Sequence, residues 1–142
     1  MNLYFYGGSF DPPHLGHKKI VSYFSNRCDE LLLIPAYHSP LKSYEPVSYL
    51  HRKEMLKIMF NNLSDKLKII DYENDNKTKY TYETVKFLKS KYLGYNLSMI
   101  LGLDQFNVID SWKNHEYILS NVNLSVISRP GYNLDDKKRN IK

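Results

Sequence analysis

The sequence predicts an α/β protein: a three-layer α/β/α sandwich of Rossmann-like form on a mainly parallel sheet. Two observations carry this. Short apolar runs alternate with amphipathic stretches as far as residue 128, and such alternation makes parallel strands joined by right-handed crossover helices. One run, residues 30–34, is almost continuously apolar (Leu31, Leu32, Leu33, Ile34), as a strand covered on both faces must be. The chain has 142 residues, 42% of them apolar, enough for a single domain, 1–142, with its own core.

The elements follow in order. Leu3, Tyr4, Phe5 and Tyr6 read as a first strand, and residues 18–24 as a helix. Residues 30–34 form the second strand and end at Pro35. Residues 48–61 carry Leu50, Met55, Leu56, Met59 and Phe60 at roughly helical spacing, a core stripe rather than a cofactor box. Residues 66–72, with Leu67, Ile69 and Ile70, give a third strand. Residues 82–92 give an amphipathic helix closed near Gly94. Residues 97–101 form a fourth strand, 104–112 and 116–121 short helices, and 123–128 a fifth strand. The basic end, Asp135 to Arg139, reads as a solvated loop.

Composition bounds the function. No apolar run approaches the ~20 residues needed to cross a bilayer, and Met1 and Asn2 offer no charged leader. Cys28 is the only cysteine, so no internal disulfide forms, which fits a reducing cytoplasm. The net charge of +5 permits anionic substrates such as nucleotides. The lysines are dispersed rather than gathered into an arginine-rich stripe, so neither a nucleic-acid nor a membrane partner is expected. A homodimer is compatible with the sequence.

The chemistry concentrates after the first strand, in Tyr6, Gly7, Gly8, Ser9, Phe10, Asp11, Pro12, Pro13, His14, Leu15, Gly16 and His17. Glycines at a strand's end let backbone approach a ligand closely. A helix N-terminus just beyond presents unpaired N–H groups to an anion. His14 and His17, three apart, share one helix face. The parts alone are weak. A Gly-Gly turn is a common connection, and a His pair lacks the further ligands of a closed metal site. No Gly-x-Gly-x-x-Gly dinucleotide fingerprint is present.

The whole string resembles the nucleotidyltransferase signature Gly-x-[Ser/Thr]-[Phe/Tyr]-[Asp/Asn]-Pro-x-His-x-Gly-His, in its strand–loop–helix setting. Later segments resemble one branch, the bacterial nicotinate-nucleotide adenylyltransferases. Gly102, Asp104 and Phe106 with Trp112 look like that family's Gly-x-Asp-x-[Phe/Leu]…Trp segment. Tyr80 and Thr81 resemble the Ser-Tyr-Thr that opens a helix, and His38 to Lys42 the lysine-bearing loop. Arg52, Met55 and Leu56 fit Arg-x-x-Met-Leu, and Arg129, Pro130 and Gly131 an Arg-Pro-Gly turn. The resemblance runs from Leu3 to about Tyr132.

The resemblance implies adenylyl transfer from ATP, with Mg²⁺, to nicotinate mononucleotide. His14, His17 and Lys42 would be catalytic. Gly7, Gly8, Ser9, Phe10, the two histidines, Gly102, Asp104 and Arg129 would bind ATP. Ser9, Lys42, Thr81 and Trp112 would bind nicotinate mononucleotide, with Trp112 on the ring and Thr81 at its carboxylate. Each residue also has a plainer reading. Trp112 suits a core anchor, Thr81 and Asp104 suit helix caps, Lys42 a solvated loop lysine, and Arg129 a turn. Arg52, His38 and His51 read as surface residues.

The family continues past the Arg-Pro-Gly turn with a strand and a helix headed by Ser-[Ser/Thr]-x-x-[Ile/Leu]-Arg, which residues 133–142 do not match. The expectation is weak ATP binding and slow turnover by the 142-residue chain. A sister transferase using phosphopantetheine would share the first motif but not the Trp112 segment. A non-catalytic nucleotide-binding module would lack pyrophosphate release. An aminoacyl-tRNA synthetase fragment is disfavoured, because no Lys-Met-Ser-Lys-Ser loop is present.

Overall fold

A computed structural model describes residues 1–10, 12–37, 48–61 and 65–128. Asp11, His38, Lys42 and the segment from Arg129 onward lie outside them. The order is β1 (Asn2–Gly8), α1 (Leu15–Ser25), β2 (Glu30–Pro35), α2 (Tyr49–Phe60), β3 (Leu67–Ile69), α3 (Tyr72–Asp75), α4 (Thr81–Lys91), β4 (Asn96–Gly102), α5 (Leu103–Phe106), a 3₁₀ turn (Ile109–Ser111), α6 (His115–Asn121) and β5 (Asn123–Ile127). The five strands form one parallel sheet, ordered β3-β2-β1-β4-β5.

Strand alternation divides the core into two layers. Leu3, Phe5, Leu32, Ile34, Leu97, Met99 and Leu101 face α4, α5 and α6, where they meet Val85, Leu88, Phe106 and Ile118. Tyr6, Leu31, Leu33 and Ile100 face α1 and α2, where they meet Val21, Phe24, Leu56 and Phe60. This is the expected three-layer sandwich. β1 and β2 are buried on both faces, which is why their side chains read as apolar runs rather than as an alternation.

Two elements depart from the expectation. β3 stops at Ile69, and Tyr72, expected at the end of that strand, begins the short helix α3. Asp71 precedes it, held by the Tyr49 hydroxyl (2.6 Å) and Lys53 (2.7 Å) of α2, so the chain turns into a helix instead of extending the edge. The expected helix 104–112 is broken into α5 and the 3₁₀ turn.

The site is prepared by where the strands separate. β1 pairs with β4 only as far as Tyr6 opposite Ile100. Beyond that point β1 stays with β2 through Gly8 opposite Pro35, and β4 stays with β5 through Gly102 opposite Ile127. Chain order runs outward in opposite directions from this seam, so a crevice opens at the carboxyl ends of β1 and β4, where α/β sheets bind ligands.

Candidate active site

The crevice is a cleft of about 680 Å³. Gly7, Gly8, Ser9, Phe10, His14 and His17 line it from the β1 side, and Gly102 and Asp104 from the end of β4. Thr81 and Trp112 close its far side. Ten of the residues singled out in the sequence therefore surround one cavity; Lys42 and Arg129 lie outside the described residues.

The histidines are held by their own backbone. His14 is the N-cap of α1, and its Nδ1 accepts from Gly16 N–H at 3.1 Å. His17 Nδ1 accepts from His14 N–H at 3.0 Å, completing a reciprocal capping box. Because both Nδ1 atoms accept, the neutral rings carry their protons on Nε2. The rings stack 3.8 Å apart, 25° from parallel, and both residues line the cleft. Gly16 is what permits this: a Cβ there would lie 2.9 Å from His14 Cε1 and 3.0 Å from Nδ1.

Phe10 seats the second histidine. Its φ of +50° is left-handed, a conformation that costs a non-glycine residue about 1–2 kcal/mol. Its ring is nearly fully buried, edge-on to Tyr6 (5.5 Å) and to His17 (5.0 Å). At Gly8 the nearest atoms to an added Cβ belong to the Phe10 ring, at an ordinary 3.6 Å. Packing alone does not demand that glycine, so the space it leaves is available to a ligand.

The far side of the cleft is cationic and aromatic. α4 begins there with Tyr80 as N-cap, so Thr81 is the helix's first residue and not its cap. Gly102 is likewise the N-cap of α5, which leaves Asp104 in the first turn, among the residues that line the cleft. Trp112 both packs against the core layer and lines the cleft. Lys113 Nζ lies 4.8 Å from the Tyr80 ring centre, a cation–π contact. Glu73 accepts from the Thr84 hydroxyl at 2.6 Å. Burial pushes its carboxyl up to about 7, with help from the charge of Glu83, although the Thr84 bond acts the other way.

The Cytidylyltransferase-like family matches residues 5–141. The chain belongs to this family. The probable nicotinate-nucleotide adenylyltransferase of Aliarcobacter butzleri is 36% identical over 141 residues, covering 97% of this chain and 77% of the relative. That of Aquifex aeolicus is 37% identical over 142 residues, covering 96% and 82%. Among solved structures, Plasmodium falciparum nicotinic acid mononucleotide adenylyltransferase complexed with NaAD matches at a TM-score of 0.85 and 26% identity, over 96% of this chain and 68% of that one. Within the Cytidylyltransferase-like family, these relatives place the chain on the nicotinate-nucleotide adenylyltransferase branch.

In this member of the Cytidylyltransferase-like family, sequence reasoning missed three groups. Arg52, expected on the surface, is 1% exposed and donates from Nη1 to the carbonyls of Ser9 and Ala36, each at 2.8 Å. Its spacing to Leu56 and Phe60, i+4 and i+8 on the buried stripe of α2, was the available signal. Glu73 had none, since it sits in a four-residue helix without periodicity. Lys113 directly follows Trp112 and could have been read with it.

Proposed function

We propose that this protein transfers the adenylyl group of ATP to nicotinate mononucleotide, giving nicotinate adenine dinucleotide and pyrophosphate, a step of NAD biosynthesis. The observation that carries it is the facing of the paired-histidine helix start and the Trp112–Thr81 wall across one cleft. A phosphate oxygen of the mononucleotide attacks the α-phosphorus of ATP, the bond from that phosphorus to the bridging oxygen breaks, and pyrophosphate leaves with the electron pair. The attacking monoester is already ionised near neutral pH, so no strong base is required.

The protein must align two phosphates that repel and stabilise charge at the α-phosphate and the leaving group. The Nε2–H groups of His14 and His17 are fixed donors for that task and need no reorganisation. Gly8 and Ser9 bring backbone to the phosphates, and Asp104 accepts from the ATP ribose hydroxyls. Lys42 keeps the catalytic and mononucleotide-binding role, and Arg129 the ATP-binding role, that the family resemblance implies. Across the cleft Trp112 stacks on the pyridine ring. Thr81, at the start of α4, meets its carboxylate with Lys79 and Lys113 nearby. Charge-assisted donors left unpaired by the neutral amide favour the acid substrate.

Among the described residues no group of three or more His, Cys, Asp or Glu side chains could hold a metal. Magnesium bridging a triphosphate retains waters and needs few protein ligands, so a cleft with phosphate donors and no cage fits an ion that arrives with ATP. Bound there, such an ion would neutralise phosphate charge. No helix among the described residues is long and apolar enough to cross a membrane. Buried, unpaired Cys28 is compatible with the cytoplasmic location this reading assigns.

The test is pyrophosphate release by the full-length protein with ATP and Mg²⁺, offering nicotinate mononucleotide, nicotinamide mononucleotide and phosphopantetheine separately. Turnover is expected with the first. His17→Ala should lower kcat by roughly a hundredfold or more. Trp112→Ala should raise KM for the mononucleotide by about tenfold, the worth of one aromatic contact. Turnover with phosphopantetheine alone, or ATP binding without pyrophosphate release, would overturn the reading.

A further inference from the structure

We infer that Arg52 is a positioning residue for the phosphate loop: its buried guanidinium ties the exits of β1 and β2 together and so sets the Phe10 turn on which His17 rests. The catalytic part of this inference rests on the adenylyl-transfer reading. A guanidinium is charged at any working pH and is costly to bury unless its donors are satisfied. Here it takes the first place on a stripe, 52–56–60, whose other members are Leu56 and Phe60. A leucine would fit the pattern there; the arginine is used for what its nitrogens reach.

Two of the bonds they make are to backbone, and the guanidinium carbon also lies 5.5 Å from the Tyr49 ring centre. One nitrogen, Nη1, donates to Ser9 O and to Ala36 O. Ser9 follows β1 and Ala36 follows β2, where the sheet's hydrogen-bond ladder runs out and carbonyls need other partners. Ala36 N–H in turn donates to Gly8 O at 2.8 Å, so a direct bond and the Arg52 bridge both join the two strand exits.

The next residue along is Phe10, whose left-handed backbone persists only if its surroundings impose it. The Arg52 bond fixes the carbonyl just before that turn, and the buried Phe10 ring fixes the other side. From there the contact passes edge-on to the His17 ring. Arg52 does not line the cleft. Its influence on the reaction runs through Ser9, Phe10 and His17, with a permanent positive charge beneath the loop.

Arg52→Met and Arg52→Lys in the full-length protein test this, with circular dichroism, steady-state kinetics and ¹⁵N-edited spectra of the histidine rings. Arg52→Met keeps the stem but no donors. It should fold, shift the His17 ring signals, and lower kcat/KM for ATP by roughly a hundredfold, with a smaller change for nicotinate mononucleotide. Arg52→Lys, charged but without the planar fork, should recover about a tenth of the activity and only part of the spectral shift. Wild-type His17 signals and wild-type kcat/KM for ATP in a folded Arg52→Met would overturn the inference. Should that variant not fold, the same two wild-type values in Arg52→Lys would overturn it. Absence of turnover in the unmutated protein would sink the adenylyl-transfer reading, while the His17 signals would still decide the positioning role.

Discussion

At Gly16 a single methyl group is enough to test how closely the histidine pair is set. Gly→Ala within a helix can add up to about 1 kcal/mol of stability through propensity. Against that stands a Cβ 2.9 Å from the His14 ring, which must move or tilt. The expected outcome of Gly16→Ala is a melting temperature close to that of the parent and a kcat/KM at least about tenfold lower, since each 1.36 kcal/mol of lost transition-state binding is a factor of ten. A parallel measurement on His14→Asn separates the two jobs of that residue: asparagine caps a helix well, so stability should hold while turnover falls. The glycine and the histidines were legible in the sequence because they fall together in one short stretch that resembles the nucleotidyltransferase signature. Arg52 was not, because it holds carbonyls 43 and 16 residues away, and a carbonyl leaves no mark on residue type.

Elements became legible in proportion to their burial and length. The strands at the centre of the sheet announced themselves as apolar runs, and α4, with Val85 and Leu88 buried, as a periodic stretch. The short helix α3 has no buried residue, so nothing in its pattern distinguishes it from the end of a strand. Yet α3 carries Glu73, whose bond to Thr84 ties it to α4 at the cleft. With a carboxyl at about 7 in the folded protein against an ordinary 4.5, the folded state holds the proton more tightly. That contribution is complete below about pH 4.5 and is lost as pH rises through 7. Asp71, two residues earlier, has the opposite sign. Burial alone would raise its carboxyl, but the hydrogen bonds from Lys53 and Tyr49 outweigh burial and hold it below the usual range, so its contribution is lost in acid. Chemical denaturation between pH 5 and 8 should therefore show a decline in stability that Glu73→Gln flattens; an unchanged slope would show that Glu73 does not titrate there.

For the molecule as a whole, both halves of the cleft belong to one sheet, so ligand binding should stabilise the entire fold. At a hundred times its dissociation constant a ligand adds about 2.7 kcal/mol. ATP with Mg²⁺ should raise the melting temperature by several degrees, and removal of the ion with EDTA should cancel most of that rise if the triphosphate needs its charge neutralised to bind. The three-layer architecture was legible from alternation alone. The point where β1 and β4 part was not, because register is set by packing rather than by any local residue. The central place of β1, bonded to β2 on one side and β4 on the other, bears on how the protein fails. Its amides belong to the part of the structure that opens only when everything opens. The histidine loop hangs directly from that strand rather than from a peripheral lid. Heat inactivation should therefore be all-or-none: catalytic activity and the far-ultraviolet signal should vanish together, with no temperature window in which a folded but silent protein accumulates.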